Sequence, residues 1–499
     1  MGRGRVIPGG PEWPLSLIFS VLAVILVVAR FYRFRPFLDE PHAFRQAWTS
    51  YSAQDFYRFG MNIFRPSIIS MGDYRHILIE FPVPEWITAI VYHVTGPTLL
   101  ADRLVSIGFF LGSAYFLFRV IALVQDRLLA WVAVLIYMAA PLGIYFSRAI
   151  HIDSAALCFG HAFLFYFLRY GETGRRRDLV CAFITSALGF LVKAPYVFYL
   201  ILPALYIQLA HGQRRHAVIS ALAFAAALTV GLAWFSYAQS VNRRAPDLSF
   251  VRGYEITNDR VDFYIGGAGQ RLSGEKWRTI GTRLRREIAA DFWWPLVPLA
   301  VVWRRRLRLA WSFAAVWTLG SFVFLFAFFP VNSLHNYYQL NFIAPFALWM
   351  AIPLYGALVE EGRFARLAQS LALVVLAAYV AAGIRMAIRN YYQVDTVGID
   401  VGEFVHARTS DRDLVIMAFN DAYYLDPRYL YYAQRRGWSI RAQWLEPRAI
   451  EGLRAQGATA VVTSDLWPAP ELTRRYLEGL KLVDTLEIGN HHVFLRRVD

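Results

Sequence analysis

Long apolar runs without charge alternate with short basic clusters along this chain. Residues 15–29, 128–147, 217–242, 309–334, 336–359 and 367–384 contain no Asp, Glu, Lys or Arg. Runs of that length approach or exceed what a helix needs to cross a hydrocarbon core of about 30 Å. Together with shorter runs they predict about eleven spans, near 14–30, 103–123, 128–147, 154–169, 178–192, 195–211, 217–238, 291–303, 309–329, 341–359 and 366–385. Segment 82–97 (PVPEWITAIVYHVTGP) is apolar too. Counting it as a span would put the arginine-rich loops after it on the wrong side, so it is read as an interfacial or re-entrant helix.

The charge pattern orients these spans. If Arg3 and Arg5 are cytoplasmic, every second connection is too, and those connections carry Arg119 and Arg127, Arg169 and Arg175–Arg177, Arg214 and Arg215, Arg304–Arg306 and Arg308, and Arg363 and Arg366. Each is short and basic, as the positive-inside bias requires. Three larger segments then lie outside the cytoplasm, at about 31–102, 239–290 and 386–499. The last differs in pattern: LVIMAF (414–419), ATAVVTS (458–464) and HVFLRR (492–497) read as strands, and PRYLYYAQRRG and PRAIEGLRAQG between them as helices ending in Gly. The expected fold class is therefore an all-α polytopic membrane domain over 1–385, with a small extracytoplasmic α/β domain over 386–499.

Composition agrees. At 57% hydrophobic residues the chain exceeds what a soluble domain carries. Its net charge of +15 falls in clusters between spans rather than on one face, which argues against a nucleic-acid partner. The two cysteines, Cys158 and Cys181, have no metal-ligand spacing and read as free thiols.

The remaining polar groups near span ends concentrate on the outer side. Asp39 and Glu40 closely follow the first span, where a half-buried carboxylate can take a proton from an attacking hydroxyl. Glu80 heads EFPVPEW, with Pro82 and Pro84 stiffening the entry to a helix. Arg148, His151 and Asp153 crowd into six residues between two apolar runs, and Asp153 suits a helix N-terminus. Lys193 interrupts an apolar hairpin, as a compact positive charge suited to a phosphate. His335, Asn336, Tyr337 and Tyr338 open a later span. The span centres are almost bare of charge, unlike those of intramembrane transporters. An enzyme acting on a substrate with a lipid tail and a phosphate head fits this one-sided pattern; a lipid-linked glycan flippase or transporter is the alternative.

The order of these motifs resembles a known family. An Asp-Glu pair after the first span, a Glu/Pro motif closing the first loop, an Arg-led second span (DRLVSIGFFLGSAYFLF), S-R-x-x-x-x-D, Lys-x-Pro and HxYY before an Ala-Pro span are all present. Together they are similar to the polyprenyl-phosphate-sugar-dependent glycosyltransferases of the GT-C fold, in particular the protein mannosyltransferase and ArnT-like aminoarabinose transferase group. The resemblance covers roughly residues 10–360. It implies a polyprenyl-phosphate monosaccharide donor, a lipid, glycan or protein acceptor, and inverting transfer at the outer face of a bacterial inner membrane. On that resemblance Asp39 is the catalytic carboxylate, with Glu40 beside it and Asp153 as a second acid. Lys193, assisted by Arg148, would neutralise the leaving phosphate, with His151, Tyr337 and Tyr338 on the substrate. Glu80 matches a position that approaches the acceptor or a divalent metal, which His335 would join. Phe81 stands where some relatives carry a basic residue, so the resemblance leaves metal binding open.

Overall fold

The computed structural model describes residues 12–252, 254, 261–291, 293–419 and 426–498, with backbone alone at 12–14, 39–40 and 261. Arg3 and Arg5 lie outside the described residues.

Among those residues, five helices are long and apolar enough to cross a membrane: Leu99–Val124, Arg214–Asn242, Arg308–Ala327, Asn336–Leu358 and Ala365–Asn390. A sixth candidate is broken. Arg127–Ala139 and Pro141–Arg148 meet at 69°. Pro141 has no N–H to donate and disfavours helical backbone at the residue before it, and Ala140 is extended there (φ −56°, ψ 126°). The helices Glu12–Ala29, Asp153–Thr173 and Arg176–Lys193 match expected spans in position but fall short of this test in apolar length or composition. The expected span 195–211 corresponds to one short apolar helix, Pro195–Ala210, with a loosened turn between Pro195–Phe198 and Ile201–Ala210.

One expectation fails outright. Among the described residues, segment 291–303 contains a four-residue helix, Leu296–Leu299, and a 3₁₀ turn, Ala300–Trp303. At 1.5–2.0 Å per residue that is on the order of 14 Å, about half a bilayer core. Pro295 and Pro298 break the run at positions where an apolar count sees no fault. Segment 82–97 forms the helix Val83–Thr95, whose 13 residues reach about 20 Å, too short to cross.

The chain divides into two compact units. The first comprises residues up to 34, 103–234 and 260–392, and holds most of the apolar helices. The second comprises 35–102, 235–259 and 393–499, so the C-terminal segment is built together with two earlier ones.

The second unit contains two sheets. A two-residue ladder joins β1 (Asp39–Glu40) antiparallel to β2 (Gln393–Val394), with Asp39 opposite Val394. The larger sheet comprises β3 (Leu414–Phe419), β4 (Arg436–Arg441), β5 (Ala458–Ser464), β6 (Leu482–Ile488) and β7 (His491–Arg497), ordered β4-β3-β5-β7-β6. β3 runs parallel to β4 and β5, and β7 is antiparallel to β5 and β6. The expected strands 414–419, 458–464 and 492–497 are all present. β4 begins where a helix was expected to end, because the Gly of QRRG lies inside the strand. Gly437 is required there: a Cβ at this position would sit 1.9 Å from the Val415 carbonyl oxygen.

Period-two alternation builds this unit's core on both faces of the interior strand β3. Leu414, Ile416 and Ala418 pack with Trp48, Ile68, Ile77 and Tyr254. Val415, Met417 and Phe419 pack on the other side with Ile69, Phe404 and Tyr429. A strand buried on both faces reads as a continuous apolar run, as LVIMAF does.

Candidate active site

In the first unit, chain direction brings an acid and a base together across forty residues. Asp153 opens the helix Asp153–Thr173, and Lys193 closes the next one, Arg176–Lys193. Those ends suit them, since carboxylates favour a helix N-terminus and ammonium groups a C-terminus. Because the two helices pack as an antiparallel hairpin, the start of one meets the end of the other. Lys193 Nζ donates to Asp153 Oδ1 at 2.8 Å, and the His151 ring bonds the other carboxylate oxygen. Asp153 is fully buried, and His151 and Lys193 nearly so.

Aromatic rings close around the ammonium group. Nζ lies 4.5 Å from the ring centres of both Tyr337 and Tyr338 and 4.8 Å from that of Tyr196. Tyr337 also meets the His151 ring at 4.8 Å and stacks on His335 at 4.9 Å with a 12° interplanar angle. Three π faces and a carboxylate hold one cation in a dry setting, where its field acts with little screening. Five residues singled out from sequence (His151, Asp153, Lys193, Tyr337 and Tyr338) therefore form one cluster, with His335 on its edge. Tyr196 is an addition; its sequence signal was its place three residues after Lys193.

Arg148 is fully buried and engaged with backbone. Its guanidinium donates to the carbonyls of Arg30 (3.2 Å), Tyr32 (2.5 Å) and Arg33 (3.2 Å), and lies over the rings of Phe34 and Tyr392. Arg30, equally buried, donates to Ser147 Oγ at 2.8 Å and to the Met138 carbonyl at 2.9 Å. The two arginines thus tie the chain leaving Glu12–Ala29 to the broken pair around Ala140, satisfying carbonyls that a helix end leaves open. Arg148→Met should destabilise the protein by about 3 kcal/mol or more, since several carbonyls lose their donor. Thermal unfolding in detergent checks this; an unchanged Tm with a raised donor KM would instead assign Arg148 to substrate alone.

The second unit holds Asp39, Glu40 and Glu80. Asp39 and Glu40 have their backbone fixed by the β1–β2 ladder. Glu80 accepts from Arg45 at 2.9 Å. Five residues on, Glu85 enters the first turn of Val83–Thr95 and is only 7% exposed. Burial pushes its carboxyl up to about 7; Arg45 pulls the other way and Glu80 adds to the rise. The folded protein then holds a proton that the unfolded chain releases above about pH 4.5, so stability falls as pH climbs from there to about 7. The total is about 3 kcal/mol. Glu85→Gln should flatten the decline of Tm over that window, and parallel curves for the two proteins would contradict it.

Among the described residues, no three His, Cys, Asp or Glu side chains converge as metal ligands. Glu80 is ion-paired with Arg45 and His335 stacks on Tyr337, and no chemical step is drawn through a metal. Three carboxylates emerge that the apolar pattern did not single out. Glu85 lies beside Glu80. Asp102 accepts from Tyr92 at 2.7 Å and Ser50 at 3.1 Å. Glu287 accepts from Asn336 at 2.8 Å, and its carboxyl is pushed upward by burial. Only their neighbours in the fold distinguish them from ordinary interfacial charges.

The same architecture occurs in solved membrane proteins. The structure of ArnT from Cupriavidus metallidurans bound to undecaprenyl phosphate matches with a TM-score of 0.66, covering 98% of each chain at 13% identity. Its apo form matches with a TM-score of 0.63 over 97% of this chain and 98% of that one, again at 13%. Archaeal oligosaccharyltransferase AglB from Archaeoglobus fulgidus, in complex with an inhibitory peptide and a dolichol-phosphate, matches with a TM-score of 0.56 at 11% identity, over 94% of this chain and 73% of that one. This chain has the GT-C fold. The family model described as dolichyl-phosphate-mannose-protein mannosyltransferase matches residues 80–238. The matched stretch runs from Glu80 through Arg148, His151, Asp153 and Lys193. No curated protein matches the chain by sequence.

Proposed function

We propose that this protein is a membrane glycosyltransferase that moves a monosaccharide from a polyprenyl-phosphate donor to a lipid, glycan or protein acceptor. The observation that carries the reading is the buried Lys193 ammonium, held by Asp153 and ringed by three tyrosines, within a fold shared with ArnT and AglB. The acceptor oxygen attacks the anomeric carbon from the side opposite the phosphate, inverting it. The bond to the phosphate oxygen breaks and that oxygen leaves with the electron pair. The acceptor proton passes to a carboxylate, assigned to Asp39, with Glu40 beside it in sequence. Lys193 stabilises the charge growing on the departing polyprenyl phosphate, where a fixed cation in a dry site is worth far more than in water. His151 keeps Asp153 oriented toward Lys193.

The charge pattern supports a multi-pass protein of a bacterial inner membrane, with a cytoplasmic N-terminus and the chemistry on the outer face. Single cysteines at positions 40, 176 and 305 test it by accessibility labelling from each side. Labelling of position 176 from outside would overturn the orientation, and position 305 decides the sidedness left open by the missing span at 291–303. The activity is tested by purifying the protein with its lipid, identifying the bound polyprenyl-phosphate sugar by mass spectrometry, and following release of polyprenyl phosphate. Absence of both lipid-linked sugar and release would sink the reading.

A further inference from the structure

The helix Ala43–Phe59 presents Arg45, Trp48, Thr49 and Ser52 at i, i+3, i+4 and i+7, which is one face. That face, with Glu80, Pro82 and Glu85, lines a cavity of about 30 Å³ in the second unit, walled on its apolar side by Ile68, Ile77 and Ile79. Arg45 and Glu80 are paired at 2.9 Å. Two side chains on the cavity are more than nine-tenths buried and incomplete: Glu85 Oε2 and Thr49 Oγ1 have no hydrogen-bond partner among the described residues. Neither residue belongs to the catalytic cluster around Lys193.

The missing partner has a definable chemistry. A buried carboxylate oxygen and a buried hydroxyl each cost on the order of 1–3 kcal/mol when unsatisfied. A group that both donates and accepts is able to satisfy either of them. A hydroxyl does so, giving its proton to Glu85 Oε2 or accepting from Thr49 Oγ1. A phosphate offers mainly acceptors and meets the carboxyl groups of Glu80 and Glu85, with the nearby Arg45 already paired to Glu80. An ammonium group offers only donors and meets Arg45. The volume admits a hydroxyl-bearing edge of a sugar ring, not all of it.

We infer that Thr49, Glu85 and the Arg45–Glu80 pair form a binding pocket for a hydroxyl-bearing edge of a saccharide, which makes the acceptor a glycan or glycolipid hydroxyl rather than a phosphate. This rests on the glycosyltransferase reading for its link to transfer, but binding is measurable alone. The probes are methyl glycosides of glucose, galactose and mannose, followed by saturation-transfer NMR on the full-length protein in nanodiscs, with inorganic phosphate as the competing chemistry. The wild type is expected to bind at least one glycoside, with affinity weakened about tenfold or more in Glu85→Gln and in Thr49→Val, two nearly isosteric changes whose folding is checked by Tm. In transfer to a saccharide acceptor the same variants raise the acceptor KM about tenfold while kcat moves less than threefold. Three results overturn the pocket: no glycoside binding by the wild type, which leaves it a water site; binding indifferent to both substitutions; or displacement of the glycosides by phosphate alone. Glycoside binding with no turnover of any lipid-linked sugar would keep the pocket and remove the transferase reading instead.

Discussion

Replacing Lys193 with Gln is expected to lower sugar transfer about a hundred- to a thousand-fold, the scale on which a fixed charge-stabilising group acts. The effect should fall on kcat, because charge builds on the phosphate as the bond to the sugar breaks. A second consequence follows from burial. Lys193 is the partner of a fully buried Asp153, and removing one member of such a pair costs about 3–5 kcal/mol by stranding the other. The single variant therefore confounds lost chemistry with lost fold. Joining Asp153→Asn to Lys193→Gln removes both charges and should recover much of the Tm without restoring transfer. Near-normal turnover by that folded double variant would refute the role of Lys193. Lys193→Arg discriminates further, since a planar guanidinium needs a different fit among the rings of Tyr196, Tyr337 and Tyr338.

Asp39→Asn separates the two kinds of acceptor. General-base catalysis contributes about a hundred- to ten-thousand-fold when a hydroxyl must lose its proton. A phosphate acceptor is already ionised and needs little such help. With a saccharide hydroxyl entering beside Glu85, the loss on Asp39→Asn should be severe, and Glu40→Gln measured in parallel tells whether the neighbouring carboxylate shares the task. A mild effect of Asp39→Asn on a folded protein would remove the base assignment and point back to a phosphate acceptor.

Much of the fold is legible in the one-dimensional pattern. Uncharged runs locate most of the apolar helices because lipid imposes a minimum length on them. Asp153 and Lys193 stand out because each ends a run, and helix ends are where a hairpin returns the chain to itself. The failures are equally local. Hydrophobicity alone does not register that Pro141 bends one run by 69°, or that Pro295 and Pro298 leave another too short to cross. Residues 436–441 mislead because a Gly after two arginines looks like a helix stop, whereas Gly437 is there to let Val415 approach. The unpartnered atoms of Glu85 and Thr49 are invisible for a different reason. An incomplete hydrogen bond is a property of surroundings assembled from residues 45–85, and no spacing rule encodes it.

The pairing of Asp39 with Val394 and of Glu40 with Gln393 also bears on how the protein can be dissected. A truncated chain ending near residue 385 would keep almost every apolar helix and look like a minimal enzyme. It would lose the strand that holds the proposed base, and with it the sheet whose two faces bury Trp48, Ile68 and Ile69. Inactivity of such a fragment would therefore say nothing about whether the C-terminal segment touches substrate. Supplying 386–499 as a separate polypeptide, and asking whether activity returns, is the informative cut.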